Sequence, residues 1–326
     1  MPEVSPKISV CLLTYNHVAI LSDTIRSVLA QDFQDFELIL SDDCSSDGTW
    51  ELLNEFARQD ARVRALRTPH NLGMAGNANF AVARARAPYI ALLHHDDLYA
   101  PNLLSAWLGV AERHPDVGFV SNRYANYQSD AIHGEDFAER SDGVRVLERR
   151  LLPRWDSPFR GTALIRRSCW DAVRGMRERF GLLADVDLWM RLARHYAVGY
   201  VREPVITVRQ RRPEDYPDAY VYWTWPRQRI TYDLHGVNRF EHFGRSSLRA
   251  RANLAVFRVR VNASILYWLA YALLKRRWDM LATSGLVDNE YELWPVRLLR
   301  QVLARACRLV IGTRGLSGLS HSGQKR

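Results

Sequence analysis

The segment Ile8-Ser9-Val10-Cys11-Leu12-Leu13 is a short, mostly apolar run that ends at the polar residues Thr14-Tyr15-Asn16. A run of this length and composition is typical of a strand buried in a parallel sheet. Apolar residues with helical spacing follow over 19–30. This strand, its polar end and the helix after it form the first unit of a pattern that decides the fold.

The same alternation of strand and helix continues along the chain. We predict strands over 36–40, 63–66, 89–93 and 162–165, helices over 49–58, 74–86 and 185–195, an extended segment over 200–208, and a long irregular connection over 122–157. Short strands that alternate with helices form βαβ crossovers. We therefore predict an α/β fold, with a Rossmann-like, mostly parallel sheet and helices on both faces.

Polar side chains follow four successive predicted strands. They are Thr14-Tyr15-Asn16, Ser41-Asp42-Asp43, Asn71-Leu72-Gly73 and His94-His95-Asp96-Asp97. A single aspartate pair after a strand is most often a turn or a helix cap. Ligands of such sheets bind at the carboxyl ends of the strands. Four polar ends in succession favour one shared binding crevice over four separate turns.

The composition is that of a globular protein, and its charge is unevenly distributed. The 326 residues are 47% hydrophobic and 25% charged, which excludes disordered, collagen-like and coiled-coil chains. The net charge is +9, and residues 245–326 alone hold 15 basic and 4 acidic residues. The excess of positive charge therefore lies in the C-terminal part, and residues 1–244 are nearly neutral.

These patterns predict three regions. They are a catalytic domain over 1–240, a basic amphipathic helical extension over 241–316 and a disordered tail over 317–326. The polar start of the chain predicts no signal peptide, and the four cysteines, which lack metal-type spacing, predict reduced thiols in the cytoplasm. The apolar run 261–274 is too short to cross a bilayer, which needs about 20 residues.

Five segments in order resemble the signature of family 2 glycosyltransferases, which have the GT-A fold. They are Ile8 to Asn16, Leu40 to Thr49, Asn71-Leu72-Gly73 with Asn77, Ala91 to Asn102 and Leu183 to Leu192. The resemblance covers residues 6 to 210. It implies inverting transfer of a sugar from a UDP or dTDP sugar to a hydroxyl of a glycan or lipid-linked acceptor, in the assembly of a bacterial envelope polysaccharide.

The resemblance also implies which residues contact the nucleotide. They are Thr14, Tyr15, Asn16, Asp42, Asp43, Asn71, Gly73, Asn77 and His95. A carboxylate from Asp42 or Asp43 would accept from the base N–H. Gly73, which has no side chain, lets the backbone approach the ligand closely.

A leaving diphosphate develops charge, which a bound divalent cation such as Mn²⁺ or Mg²⁺ neutralises without proton transfer. By resemblance, Asp96 is the carboxylate ligand, with Asp97 and His94 as further metal-site residues. His94 replaces the first aspartate of the family's Asp-x-Asp element. This replacement either favours Mn²⁺ over Mg²⁺ or removes one direct ligand. Alternatively, His94 and His95 have no role at the metal and are held by local hydrogen bonds.

Inversion needs a base that takes the acceptor's proton, and the resemblance assigns this role to Asp185, in a loop just before a helix. The family's preceding glutamate is Ala184 here. An ordinary helix N-cap would also explain Asp185. Asp187 is predicted either to interact with the helix dipole in the first turn or to support Arg191, and Trp189 is predicted to lie in the core.

Residues 295–311 form an amphipathic pattern with an arginine face and an apolar face. Such a helix can lie on an anionic membrane, which would place the protein peripherally at the inner face of the plasma membrane. Alternatively, the apolar face packs on the core and the arginines are solvated. Nucleic acid is not expected, because no nucleic-acid motif is present.

Two functions other than sugar transfer are the alternatives. His94 and Ala184 would suit a non-catalytic subunit of the same fold that binds a partner or a membrane. A nucleotidyltransferase would need a glycine-rich loop after the first strand, and Leu13 to His17 contains no glycine.

Overall fold

The computed structural model describes residues 5–209, 225–244, 246–284 and 290–311. The chain divides into two units, residues 1–210 (unit 1) and residues 211–326 (unit 2). The elements of unit 1 are β1 (Ile8–Thr14), α1 (Val18–Leu29), β2 (Phe36–Asp42), α2 (Thr49–Gln59), β3 (Val63–Arg67), α3 (Gly73–Val82), β4 (Tyr89–His94), β5 (Asp97–Tyr99), α4 (Leu103–Arg113), β6 (Val117–Asn126), β7 (Ile132–His133), β8 (Arg140–Ser141), α5 (Gly143–Val146), β9 (Ala163–Arg166), α6 (Arg167–Val173), α7 (Ala184–His195) and β10 (Ala197–Val208). A π-helical turn spans Leu147–Leu151 and a 3-10 turn spans Glu178–Leu183.

The strands of unit 1 form one sheet in the order β3-β2-β1-β4-β9-β6-β10-β5. The strands β3, β2, β1 and β4 are parallel, β9 runs antiparallel between β4 and β6, and β6 is parallel to β10. The predicted α/β class is confirmed. Its parallel arrangement holds across β3-β2-β1-β4, whereas the other half of the sheet is mixed.

The register of the parallel strands aligns their polar ends. Thr14 of β1 lies beside Asp42 of β2, and Leu13 lies beside His94 of β4. Every residue of β1 and β2 is buried, because helices cover both faces of this part of the sheet. The sheet therefore presents the polar residues of three strands at one edge.

The region after β4 differs most from the prediction. The helix α4 and the strands β5 and β6 lie outside the predicted elements, although α4 buries Trp107 and β6 pairs along β10. The predicted irregular connection over 122–157 is wrong for residues 122–126, which continue β6, and for residues 143–151, which are helical. The many charged residues of this stretch hid both elements, because they interrupt its apolar periodicity.

Unit 2 consists of α8 (Trp225–Phe243), α9 (Leu248–Leu274), α10 (Trp278–Ser284) and α11 (Trp294–Ile311). Its core includes Phe257, Val261 and Leu269, all on one side of α9. The indole of Trp225 donates to the carbonyl of Met280 at 2.8 Å and ties α8 to α10. Among the helices that the structure describes, none combines the length and the apolar content that crossing a bilayer requires.

The division between the units falls at residues 210 and 211, whereas the sequence prediction placed the boundary at 240. The helix α8 therefore belongs with the C-terminal helices. The predicted tail over 317–326 lies outside the described residues. All four cysteines are free thiols.

Candidate active site

A tight turn between β4 and β5 holds the predicted metal-site residues. One ligand atom each of His94, Asp96 and Asp97 lies within 4.8 Å of the others. The Tyr99 hydroxyl fixes the turn, because it donates to the His94 carbonyl at 2.7 Å and accepts from the His94 N–H at 2.9 Å. Two carboxylates and an imidazole in this arrangement are a donor set that a small divalent cation accepts.

The two carboxylates of this turn are in different surroundings. Asp97 is fully buried and pairs with the Arg160 guanidinium at 3.0 Å. Asp96 is also buried, at 1% exposure, and belongs to the turn itself. Because a cation would compete with Arg160 for Asp97, the geometry favours Asp96 as the direct carboxylate ligand and Asp97 as a neighbouring charge.

The predicted base, Asp185, lies next to this turn. Its half-buried side chain is in the first turn of α7, which begins at Ala184, so the predicted loop position is wrong. A Cβ added to Gly161 would lie 2.6 Å from Nε2 of His94 and 3.1 Å from Oδ2 of Asp185. Gly161 therefore lies between the two side chains and makes them neighbours.

The alternative explanation of Asp185, as a helix-capping carboxylate, keeps part of its basis. Leu183 is the N-cap residue of α7, but Oδ1 of Asp185 accepts from the first-turn N–H of Val186 at 2.7 Å, and Oδ2 is the oxygen near Gly161. The nearby Asp187 accepts from the Arg191 guanidinium at 2.7 Å, and Arg177 approaches it at 3.4 Å. The predicted support of Arg191 by Asp187 and the predicted burial of Trp189 are both confirmed.

The two aspartates at the end of β2 have distinct partners. Asp42 is fully buried, accepts from the Ser45 N–H at 3.2 Å and pairs with Arg67 at 3.2 Å. Burial raises the pKa of Asp42, and the Ser45 and Arg67 contacts offset only part of this effect. Asp43 accepts through Oδ1 from the Thr68 hydroxyl at 2.9 Å and the Leu72 N–H at 2.8 Å. Asp43 thus joins the end of β2 to the loop before α3.

That loop contains Asn71 and Gly73, both exposed. The Asn71 side chain accepts from the Gly73 N–H at 2.9 Å, and Gly73 has a φ of +72°. A Cβ at Gly73 would have no neighbour within 4 Å, so the glycine is required by its backbone conformation and leaves open space in front of the helix. The loop therefore offers exposed backbone at the same edge as Asp43.

The end of β1 lies beside the loop that follows β2. Tyr15 is exposed, and the Asn16 side chain accepts from the Ser46 N–H at 2.9 Å, which links β1 to the loop after β2. The rings of His17 and His95 lie 4.1 Å apart, and Nδ1 of His95 donates to the Leu13 carbonyl at 2.9 Å. Local hydrogen bonds thus orient His95.

Two predicted nucleotide residues are turned into the protein. The amide of Asn77 donates to the Ser41 carbonyl at 3.0 Å and accepts from the Ser41 hydroxyl at 2.6 Å, and the side chain is 2% exposed. The Thr14 hydroxyl, also buried, donates to the Ser41 carbonyl at 3.2 Å. In this geometry both residues hold β1, β2 and α3 together beneath the crevice.

Three comparisons with known proteins bear on this site. The model of glycosyl transferase family 2 matches residues 9–168, which include both the β2 aspartates and the His94 turn. Residues 9–168 therefore form a glycosyl transferase family 2 domain. The transferase is 29% identical over 213 residues to the putative glycosyltransferase EpsE of Bacillus subtilis, an alignment that covers 63% of this chain and 73% of EpsE.

A second relative has a more specific name. The transferase is 30% identical over 117 residues to WfaP of Escherichia coli, a UDP-Glc:alpha-D-GlcNAc-diphosphoundecaprenol beta-1,3-glucosyltransferase, and the match covers 36% of this chain and 46% of WfaP. Alignments with seven curated relatives besides EpsE cover 13% to 64% of those proteins.

The fold is similar to that of a solved glycosyltransferase. The crystal structure of S. aureus TarS 1–349 in complex with UDP-GlcNAc superposes with a TM-score of 0.64 at 16% identity, and the match covers 98% of this chain and 91% of that one. This likeness and the family match show that the transferase has the GT-A fold.

Two residues of the site were missing from the sequence prediction. Gly161 separates His94 from Asp185, and Arg160 pairs with Asp97 and lies with its guanidinium 5.0 Å from the centre of the Tyr124 ring. Both lie just before β9, in a stretch without periodicity. The only signal was the position of Arg160-Gly161 immediately before a predicted strand, which by itself indicates a turn.

Proposed function

We propose that the transferase moves a sugar from a UDP or dTDP sugar to an acceptor hydroxyl with inversion, and that Asp185 is the base. One observation carries the proposal. Gly161 lies between the Asp185 carboxylate and the His94 ring, and His94 clusters with Asp96 and Asp97 where β4 ends. A base beside an anionic cluster suits an acceptor that enters on one side while a diphosphate leaves on the other.

The nucleotide would bind along the ends of β1 and β2. Tyr15 offers an exposed ring for the base, and Asp43, whose Oδ1 already anchors the loop before α3, is the carboxylate nearest to open backbone at Gly73. Asn16, Asn71 and His95 complete this wall. Because Asp42 is committed to Ser45 and Arg67, we assign base recognition to Asp43.

Asp96 would hold a divalent cation, with His94 as the second ligand and Asp97 as a charge held by Arg160. When bound, Mn²⁺ or Mg²⁺ would neutralise the charge that develops on the leaving diphosphate. In the transfer step the acceptor oxygen bonds to the anomeric carbon, the bond from that carbon to the diphosphate oxygen breaks, and the acceptor proton passes to Asp185.

The acceptor is proposed to be a growing bacterial envelope polysaccharide or a lipid-linked glycan. The name of WfaP includes a diphosphoundecaprenol acceptor and UDP-Glc, and the TarS structure contains UDP-GlcNAc, which supports this acceptor class and a UDP sugar. An acceptor in a membrane would place the transferase at the inner face of the plasma membrane. We further propose that catalysis belongs to unit 1 and membrane contact to residues 245–316.

The experiment replaces the base without changing its size. Donors are first ranked by thermal shift with a panel of nucleotide sugars and Mn²⁺, and release of the nucleotide is then measured with the best donor. Asp185→Asn is expected to lower turnover about 10²- to 10⁴-fold, since general-base catalysis contributes that much, and to leave the Kd for UDP unchanged.

The matched control is Asp171→Asn, at an exposed position of α6, which removes the same charge. It is expected to keep full activity. An Asp185→Asn variant as active as the wild type would overturn the assignment. The alternative, a non-catalytic subunit, requires that no donor be hydrolysed with any divalent cation.

A further inference from the structure

The helix α11 is packed with its arginines inward. Arg300 is 2% exposed, Arg297 and Arg308 are half-buried, and Ala304 on the same face is fully buried. The two arrangements predicted from sequence had this face on an anionic membrane or in solvent. The structure contradicts both, because most of the arginine face is turned into unit 2.

Each inward arginine has partners that compensate its burial. Arg300 donates to both carboxylate oxygens of Glu292, at 2.8 and 2.6 Å, and to the Ser284 carbonyl. Nε of Arg308 donates to the Ala282 carbonyl at 2.8 Å, and Arg297 lies 3.7 Å from Glu292. The bonds to Glu292 and Ser284 satisfy the buried guanidinium of Arg300 inside the fold, so this group is not available to bind phosphates.

The opposite face of α11 is exposed and apolar. Leu298, Leu299 and Val302 are 46%, 44% and 54% exposed, and Trp294 at the start of the helix is 72% exposed. Arg305 is the exposed cation at the margin of this face. An amphipathic helix whose apolar side chains face outward is the reverse of the usual arrangement and indicates a surface that binds something apolar.

The helix α9 has a second apolar stripe. Val256, Val259, Leu266 and Tyr267 are 42% to 65% exposed and fall on one side of the helix. Charged residues flank the stripe at its two ends, with Arg249 and Arg251 exposed near one end and 275–277 (Lys-Arg-Arg) exposed at the other. Apolar side chains, an exposed tyrosine and terminal cations are typical of a helix that lies in a membrane interface.

The charge decides between a bilayer and a second copy of the chain. Residues 245–326 hold 15 basic and 4 acidic residues, so two copies joined through these helices would bring like charges together. An anionic bilayer offers phosphates to the exposed cations and hydrocarbon to the apolar faces.

We infer that unit 2 binds an anionic lipid bilayer by inserting the outward apolar faces of α9 and α11, while the inward arginines of α11 stay within the fold. This inference rests on the proposed membrane partner and identifies the surface that makes the contact. It differs from electrostatic adsorption through the arginine face, because the depth of insertion depends on apolar side chains that salt does not screen.

The test is flotation of the full-length protein with vesicles of phosphatidylcholine and phosphatidylglycerol, in a 7:3 ratio, at low and high salt. The double variant Leu298→Ser/Val302→Ser is expected to lower vesicle binding about tenfold or more, because two exposed aliphatic side chains no longer enter the bilayer. The wild type is expected to keep part of its binding at high salt.

The matched control is Ile132→Ser/Val144→Ser, which removes two exposed aliphatic side chains from unit 1. It should float as the wild type does. Equal flotation of the Leu298→Ser/Val302→Ser variant and the wild type would overturn the inference. So would a wild-type dimer, measured by light scattering, that this variant dissociates without any binding to vesicles.

Donor hydrolysis separates this inference from the proposed function. The Leu298→Ser/Val302→Ser variant is expected to hydrolyse the nucleotide sugar at the wild-type rate, because the substitutions are confined to α11. Conversely, Asp185→Asn should float normally. Loss of flotation with normal hydrolysis in the Leu298→Ser/Val302→Ser variant therefore supports the inference. Loss of hydrolysis in Asp185→Asn tests only the assignment of the base.

Discussion

Unit 1 and unit 2 differ in where they place their buried charged groups and in what lies on their surfaces. In unit 1 the buried carboxylates of Asp96 and Asp97 collect at the ends of parallel strands, and the apolar side chains fill the interior. In unit 2 the guanidinium of Arg300 is buried together with the carboxylate of Glu292, and leucines and valines cover much of the outside of α9 and α11.

This difference shows what an amphipathic pattern can and cannot tell. The period of α11 separates an arginine face from an apolar face, but the period does not say which face points inward. A single buried acid, Glu292, changes the outcome, because it stabilises two arginines that would otherwise be solvated.

If Arg300 holds unit 2 together, its removal should be costly. Arg300→Ala is expected to lower the free energy of unfolding by about 3–5 kcal/mol, because Glu292 is left buried without its bidentate partner. Chemical denaturation, followed by circular dichroism, measures this free energy of unfolding. Arg305→Ala, on the exposed side, should change stability by less than about 0.5 kcal/mol.

A double variant sharpens the same point. Arg300→Met/Glu292→Gln removes both charges, and is expected to recover most of the lost stability, because neither charge remains buried. Equal losses in Arg300→Ala and Arg305→Ala would show that the inward face does not stabilise unit 2.

In unit 1, a substitution at Gly161 tests whether catalysis requires His94 and Asp185 to lie close together. Gly161→Ala places a methyl group 2.6 Å from His94 and 3.1 Å from Asp185, so one of them must move. Turnover is expected to fall about 10²-fold, since displacements near 1 Å have this effect, while the thermal midpoint changes little. Wild-type turnover in this variant would show that the closeness of the two groups does not matter.

The buried imidazole of His235 should make unit 2 sensitive to acid. Burial, together with Arg239 and Arg260, lowers the pKa of His235 to about 3, so the folded state keeps it neutral. An unfolded histidine titrates near pH 6.5, and stability is therefore complete above that pH and lost as the pH falls below it. Between pH 7 and 5 the loss attributable to this group is about 2 kcal/mol.

The measurement compares slopes rather than absolute stabilities. His235→Gln cannot titrate, so the decline in its unfolding free energy between pH 7 and 5 should be about 2 kcal/mol smaller than that of the wild type. Parallel pH profiles for the two proteins would mean that another group governs the acid sensitivity.

Asn77 and Tyr15 separate a structural role from a binding role within unit 1. Asn77→Ala removes two buried hydrogen bonds to Ser41 and is expected to cost about 1–2 kcal/mol of stability with UDP affinity unchanged. Tyr15→Ala, at an exposed ring, should weaken UDP binding about three- to tenfold and leave stability intact. Calorimetric titration with UDP, together with denaturation, checks both variants. The reverse pattern would make Asn77 a nucleotide ligand.

The sequence predicted those parts of unit 1 in which strands and helices alternate. Strand ends are readable because a buried strand excludes polar residues until it reaches the edge, and the end of β4 thereby predicted the cluster around Asp96. The pairing of Asp187 with Arg191 follows from helical spacing. In each case the pattern of neighbouring residues in the sequence was enough for the prediction.

The remainder depended on contacts between distant residues. The burial of Asn77 depends on Ser41, 36 residues away. The need for a glycine at position 161 depends on His94 and Asp185, which approach it from other elements. The inward turn of α11 depends on Glu292, outside the helix. No local pattern contains these partners, so only the folded chain reveals them.

The positions of the site residues along the chain set the order in which they leave the ribosome. Residues up to His95, just after β4, contain the β3-β2-β1-β4 layer and every nucleotide residue of the proposed wall, and they emerge first. Arg160, Gly161 and Asp185 emerge later, with β9 and α7. A nascent chain stopped before β9 therefore has the proposed nucleotide wall but no base, and competence for transfer begins only once α7 has left the exit tunnel.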